Sequence, residues 1–248
     1  MHANWLGLMY LVEKDNEVQM IEPGVPHMRM AFAPAGSYEI LDTWHVGGLR
    51  GTGSHDVVAE DLEVPVDKTF AFTDPIHTDR AIGRIPVACT MSVGHAAICL
   101  GIAGAALDTV ISMGRTKVSV DPVPRLTDRA SNQFLVAEAA TKIAALRAQL
   151  HNALGRLWGM VETDTDWTVD AVADVWSAAV TTGRECRSLV TAMYEVAGTP
   201  SLYVDCTLER CHRDIHAAMQ HVVTQRLWLE EAGRVKFGMD PTNPLFTL

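Results

Sequence analysis

Residues 43–65 read TWHVGGLRGTGSHDVVAEDLEVP, and the chain changes character across them. Gly47, Gly48, Gly51 and Gly53 fall close together, with Arg50 and the hydroxyls of Thr43, Thr52 and Ser54 among them. Glycine reaches positive φ at no steric cost and lets another group touch the main chain. Successive free N–H groups in such a loop can cradle an anion or a polar ring edge. A long hairpin connection with turn glycines accounts for the same residues, and composition alone leaves both readings open. The spacing matches neither a Walker loop nor a dinucleotide GxGxxG, since no GK[ST] follows and no helix opens there.

Upstream, the pattern is that of antiparallel β-structure. Trp5 to Val12 is an apolar strand, Lys14, Asp15 and Asn16 a turn, and Glu17 to Ile21 a second strand. Pro23 and Gly24 break it. Met28, Met30 and Phe32 then alternate with Arg29 and Ala31 at the period of a half-buried strand. Pro34 and Gly36 break again, and Tyr38 to Trp44 and Asp56 to Val64 flank the glycine loop. About five strands are too few to close a barrel and fit part of a sandwich.

Downstream of Pro75 the spacing predicts helices over 84–114, 128–158, 168–197 and 204–235. In the second, Phe134, Leu135, Ala139, Ile143, Leu146, Leu150, Leu154 and Leu157 share one face, after Pro122, Pro124 and a capping Thr127 or Asp128. The third follows an acidic, Thr-rich cap, Thr163 to Asp166, and stops at Gly198 before Pro200. Long helices joined by short loops pack antiparallel. The expected class is α+β: a partial antiparallel β-sandwich over 1–75, followed by an antiparallel four-helix bundle over 80–240.

The 248 residues carry a formal charge of −10, which argues against nucleic acid as a partner. Thirteen of the acidic side chains precede residue 81, so the helical part is nearly neutral. Five cysteines without a CxxC pair read as reduced, mostly buried thiols of a cytoplasmic protein. Residues 85–107 hold no Asp, Glu, Lys or Arg and are long enough to span a bilayer, but Pro86, Ser92, His95 and several glycines favour a helix buried on all sides in a bundle. A strand-like run almost at Met1 marks a domain entered in mid-strand, with part of it expected upstream.

The last predicted helix carries LERCHRDIHAAMQH, residues 208–221. Glu209 and Arg213 form an i,i+4 pair; Arg210, Arg213, Arg184 and Arg187 are expected in helix–helix ion pairs. His212 and His216 have ligand spacing, but without HExxH or a third ligand no metal is expected. His221, on a different face from His216 and with Gln220 beside it and an apolar flank in Val222 and Val223, has the pKa range of an acid–base group; a packed structural histidine is the plainer reading.

With these residues in view, the sequence resembles the acyl-CoA dehydrogenase superfamily, in its flavin-dependent monooxygenase branch. Asp42 to Val57 with Val64 and Pro65 resemble that branch's DTWHVxGLRGTGSxDV strand and VP pair. Residues 208–221 resemble its terminal arginine–aspartate–histidine helix, and HANW at 2–5 and MRM at 28–30 resemble its middle domain. The resemblance implies the second half of a β-domain and the C-terminal helical domain of a tetrameric enzyme. It implies reduced flavin, FMN or FAD, delivered by a separate reductase, and a small aromatic or polycyclic substrate, with no metal and no membrane.

By resemblance His221 is the catalytic histidine, managing proton transfer. Arg50, Thr52 and Ser54 contact the flavin, Arg115 reaches a neighbour's flavin phosphate, and Trp44 and Gly51 line the substrate. The superfamily's dehydrogenases use a glutamate base, either nine residues beyond the arginine of the RD pair or at the start of the first bundle helix. The first position is Val222 here, and the second lies in the stretch without carboxylates. Thioester dehydrogenation with FAD is the alternative activity; a non-catalytic, truncated remnant is a further alternative.

Overall fold

The computed structural model describes residues 4–22, 24–74, 76, 78, 80–116 and 125–247. The breaks at Pro23 and Pro75, the start at Met1 with His2 and Ala3, and the pair Pro122 and Pro124 lie outside the described residues. The class is α+β. The chain divides into two compact units, residues 1–45 with 50–77 and residues 46–49 with 78–248.

The first unit is built of short antiparallel strands. β1 (Trp5–Leu11) pairs with β6 (Met28–Pro34), Trp5 opposite Pro34 and Leu11 opposite Met28, and β6 pairs on its other edge with β9 (Thr69–Phe70). Between them, β2 (Glu13–Lys14) and β3 (Glu17–Val18) form a hairpin whose two turn residues, Asp15 and Asn16, both have positive φ. That pair of left-handed residues matches the strand twist. β4 (Met20–Glu22) and β5 (Val25–Pro26) make a further pair.

β6 alternates with period two, and the alanines hold its covered face. Ala31 and Ala33 are buried, whereas Phe32 is 43% exposed and stacks on Phe70 at 5.8 Å. Alanines leave room for close packing on the covered face; the large side chains stand on the open one. The strands flanking the glycine loop are also much shorter than expected. Only β7 (Glu39–Ile40) and β8 (Val57–Val58) pair, Ile40 opposite Val57, and Asp61 at positive φ interrupts the run toward Val64. The glycine stretch is therefore the connection of a hairpin.

The second unit is helical: α1 (Val87–Thr116), α2 (Ala130–Glu162), α3 (Val169–Ala197), α4 (Thr207–Ala218) and α5 (Leu227–Lys236). α3 packs against each of the others. Its start is fixed by Thr168, whose hydroxyl accepts the Ala171 N–H at 3.2 Å, and its end by Gly198 at φ +64°. Capping of α2 by Thr127 or Asp128 is not observed. Those residues form a 3-10 turn, and Arg129 takes the cap position without a side-chain bond.

α1 is not buried on all sides. Cys89, Ser92, Ala96, Cys99, Ala103, Ala106 and Val110 recur at alternate steps of three and four and form one buried stripe, while Met91 and Ile98 are exposed. By length and composition alone α1 could cross a membrane. On α2, Ala139, Ile143, Leu146, Leu150, Ala153 and Leu157 form the matching stripe, but Phe134 is 68% exposed.

The predicted helix over 204–235 is two helices. The ladder tightens at Gln220 and His221, whose N–H groups bond to Ala217 and Ala218, three residues back. The Thr224 hydroxyl then lies 3.0 Å from the Met219 carbonyl and 2.7 Å from that of His221, and the Trp228 indole N–H reaches the Val222 carbonyl at 2.6 Å. These bonds satisfy carbonyls that a continuing helix would have used.

Beyond α5, the Glu231 carboxylate accepts the Thr242 N–H and hydroxyl, both at 2.7 Å, and draws the chain back. Phe246 is fully buried against Trp176, which stacks on Trp228 at 4.3 Å and donates its indole N–H to the Phe246 carbonyl at 3.0 Å. Replacing Phe246 by alanine removes an aromatic ring from a closed site, so Phe246→Ala is expected to lower stability by about 3–5 kcal/mol. Urea unfolding monitored by tryptophan fluorescence measures it; a loss under about 1 kcal/mol contradicts the tail's place in the core.

Candidate functional site

In the helical unit, the break between α4 and α5 presents His221. Its backbone is extended, and its Nδ1 accepts the Val223 N–H at 3.3 Å, capping the 3-10 turn Val222–Thr224. Because Nδ1 is a lone pair facing a donor, the neutral ring carries its proton on Nε2. His95, from the apolar run of α1, stacks on this ring with centroids 4.9 Å apart and planes at 30°. The His95 Nε2–H donates to the carbonyl of Ala218, the last residue of α4, at 2.7 Å. Burial of one side of the His221 ring, and then the neighbouring imidazole, hold its pKa below the ordinary range.

The sequence offered His95 only as a polar interruption in an apolar helix, and the contact joins residues 126 positions apart in sequence. No motif spacing records that. The other histidine pair serves packing. His212 stacks on Tyr194 at 4.2 Å, and His216 donates from Nε2 to the Thr191 oxygen at 3.1 Å, since the Thr191 hydroxyl hydrogen goes to the Arg187 carbonyl. Burial first, then His212 and Arg187, push His216 down. Among the described residues no group of three or more His, Cys, Asp or Glu could hold a metal ion.

α4 also carries the arginine–aspartate pair. Arg213 bonds to Glu209 one turn back at 3.0 Å and lies 3.8 Å from Asp214, so it pairs along its own helix instead of across to another. Asp214 accepts the Leu49 N–H at 2.7 Å. Leu49 has positive φ, and Gly48 before it is buried against α4. A Cβ at Gly48 would come within 2.6 Å of the Arg213 carbonyl carbon and 2.9 Å of the Ala217 Cβ. Only glycine lets this backbone lie on the helix.

In the β unit, the His55 ring organises the loop. Its Nδ1 accepts the N–H groups of Thr43 (3.2 Å) and Trp44 (3.1 Å), and the Thr43 hydroxyl accepts the Asp56 N–H at 2.9 Å. Trp44 is half-buried; Arg50, Gly51, Thr52 and Ser54 are exposed, and Ser54 donates to the Thr52 hydroxyl at 3.2 Å. The structure brings these loop residues together as a group of polar donors. Arg115 lies apart from them in sequence and structure element, exposed in the last turn of α1.

The family described as acyl-CoA dehydrogenase, C-terminal domain, matches residues 93–226. The chain is 27% identical over 241 residues to an indole-3-acetate monooxygenase of Acinetobacter baumannii, covering 97% of this chain and 60% of that protein. It is 26% identical over 220 residues to the flavin-dependent monooxygenase, oxygenase subunit HsaA, of Mycobacterium tuberculosis, covering 84% and 55%. Its fold matches XiaF from Streptomyces sp., solved with FADH2 and glycerol, at a TM-score of 0.82 and 23% identity, over 98% of this chain and 63% of that one. The chain thus spans a little over half the length of these relatives.

Gly48→Ala is expected to lift the 46–49 segment off α4 and expose the Leu49 N–H; hydrogen exchange of that amide reads it directly, and unchanged protection contradicts the close approach. The histidines make stability depend on pH as well. His216 and His221 have folded pKa values below that of the unfolded chain, so the unfolded state takes their protons first, near pH 6.5. Their contribution to stability is full above that value and is lost as pH falls through their folded pKa values. Asp174 and Glu231, held below the ordinary carboxylate range, lose theirs only at lower pH. The Tm of the helical unit is therefore expected to fall between pH 7 and pH 5, and less steeply in His216→Gln; a flat Tm across that interval contradicts the depressed values.

Proposed function

Since the chain belongs to the acyl-CoA dehydrogenase C-terminal-domain family, we propose that it is the C-terminal portion of the oxygenase component of a two-component flavin-dependent monooxygenase. The observation that carries this reading is the imidazole pair at the α4–α5 break. A dehydrogenase needs a carboxylate to take the α-proton of a thioester. The expected position is Val222, and the side chains beside it are His221 and His95. The relatives' own names, a monooxygenase and an oxygenase subunit, support the same direction.

The residues present fit a flavin. Arg50 offers a forked cation to a phosphate, Thr52 and Ser54 offer hydroxyls, and exposed Gly51 and Gly53 leave the main chain approachable. Bound reduced flavin would supply the activation of molecular oxygen. His221 would present its Nε2–H to an oxygen of the reacting substrate, with the ring oriented by the Val223 N–H. Trp44 and Gly51 are assigned to the substrate, an aromatic or polycyclic compound, and Arg115 to a flavin phosphate of a neighbouring protomer.

In this reading residues 1–75 are part of a middle β-domain. Residues 80–240 form the C-terminal domain, with the helices arranged as an antiparallel four-helix bundle that assembles tetramers. A separate flavin reductase is the implied partner. The five free cysteines accord with a cytoplasmic enzyme, and the net charge of −10 with a partner other than nucleic acid.

The test is anaerobic titration of the chain with reduced FMN and FAD, followed by aerobic turnover of indole-3-acetate and of simple phenols. Binding of reduced flavin and a loss of hydroxylation of about 100-fold or more in His221→Ala, with the fold retained, are expected. Wild-type turnover in His221→Ala removes the histidine from the chemistry, and thioester oxidation with an artificial acceptor overturns the monooxygenase reading.

A further inference from the structure

The two imidazoles at the helix break are not equivalent proton sites. On His221, Nδ1 is the atom that a proton must enter, and it already accepts the Val223 N–H. Protonation there sets two N–H groups against each other and opens the cap of the 3-10 turn. On His95, Nε2 already donates to the Ala218 carbonyl, so a proton entering at Nδ1 leaves that bond intact. A positive charge would strengthen that bond, because Ala218 ends α4 and its carbonyl carries the negative end of the helix dipole.

Stacked at 4.9 Å, the rings do not both become cations without strong mutual repulsion. We propose that His95 is the positioning partner of His221: the pair holds its first proton on His95, and this keeps His221 neutral and capped on Val223 with its own proton on Nε2. The hydrogen-bond roles stand on the donors and acceptors alone; the catalytic consequence rests on the monooxygenase reading of His221.

The surroundings leave the assignment to this pair. α1 and α3 pack against the Val222–Thr224 turn. α1 brings His95, while α3 brings Gly183 against the Met219 side chain, beside the uncharged and fully buried Thr182. α4 contributes the Ala218 carbonyl; its charged residues Glu209, Arg213 and Asp214 bond to one another and to Leu49 one or more turns away. His95 is the one charged neighbour that acts on His221 among the described residues, and its effect is to push the His221 pKa down, in addition to burial.

The experiment is a histidine titration by NMR on the 248-residue chain labelled at the imidazole carbons, with the Val223 amide monitored in parallel. In the wild type the two rings are expected to titrate as coupled steps, the first on His95, with the Val223 amide shifting only at the second. In His95→Gln, whose amide can still donate to Ala218, the His221 midpoint is expected to move upward and the Val223 shift to move with it. With reduced FMN and a phenol that the wild type hydroxylates, the acidic limb of the rate profile should move to higher pH by the same interval.

A first proton on His221 in the wild type overturns the proposal, and so does an unmoved His221 midpoint in a folded His95→Gln. The wild-type titration decides the matter even if the variant does not fold. A coupled titration of the expected order in a chain that hydroxylates nothing supports the pair and sinks the monooxygenase reading instead. Hydroxylation with independent titrations does the reverse.

Discussion

The helical unit depends on a helix that stops where its apolar spacing says it should continue. At Met219 the last turn of α4 would pass straight into α5. The Thr224 hydroxyl instead takes the carbonyls of Met219 and His221, and the Trp228 indole takes that of Val222. Two side-chain donors from beyond the break, with the Thr224 and Gln225 N–H groups three residues on, take carbonyls that a continuous helix would have bonded four residues on. The interruption gives His221 an extended backbone and points its ring out of the helix line. It also exposes the Ala218 carbonyl as a helix terminus that a side chain of α1 can reach.

Close backbone approach is the second constraint, and it recurs at two glycines. Gly48 lies on α4 where any Cβ would strike Arg213, and Gly183 faces the Met219 sulfur where a Cβ would come within 2.8 Å. Both contacts bear on α4 or its final turn. The small-residue stripe of α1 works in the same sense, since Ala96, Cys99 and Ala103 let α1 run close beside its neighbours.

Much of this was legible in the sequence, for reasons that can be given residue by residue. The end of α3 comes from a glycine that accepts positive φ, a local signal; its cap is Thr168 and not the Thr163–Asp166 stretch expected to supply it, whose Thr163 closes α2 instead. The turn at Asp15 and Asn16 and the stripe of α2 around Ile143 and Leu150 were equally local. The break after Ala218 was not, because no Gly or Pro marks it and Val222 and Val223 continue the apolar pattern. It is made by side chains reaching back along the chain. The alternation of β6 was legible, but not which face is covered, because the small alanines and not Phe32 occupy it. His95 was invisible as a functional residue, since its meaning lies in a contact across the unit. His221 was singled out by likeness to a known motif; spacing alone left it an ordinary histidine.

The burial of Phe246 has a consequence for how the protein is made. Its ring lies against Trp176, near the start of the central helix, so a piece of the core is delivered after more than two hundred earlier residues have been synthesised. While residue 246 is still inside the ribosome, Trp176 and Trp228 lack their cover on that side and the Glu231 clamp has no Thr242 to hold. The helices can gather as they emerge, but an apolar face remains open to chaperones, or to other nascent chains, until Phe246 has emerged. Final closure of this unit thus waits for residue 246 to emerge and is not set only by the rate at which its helices form.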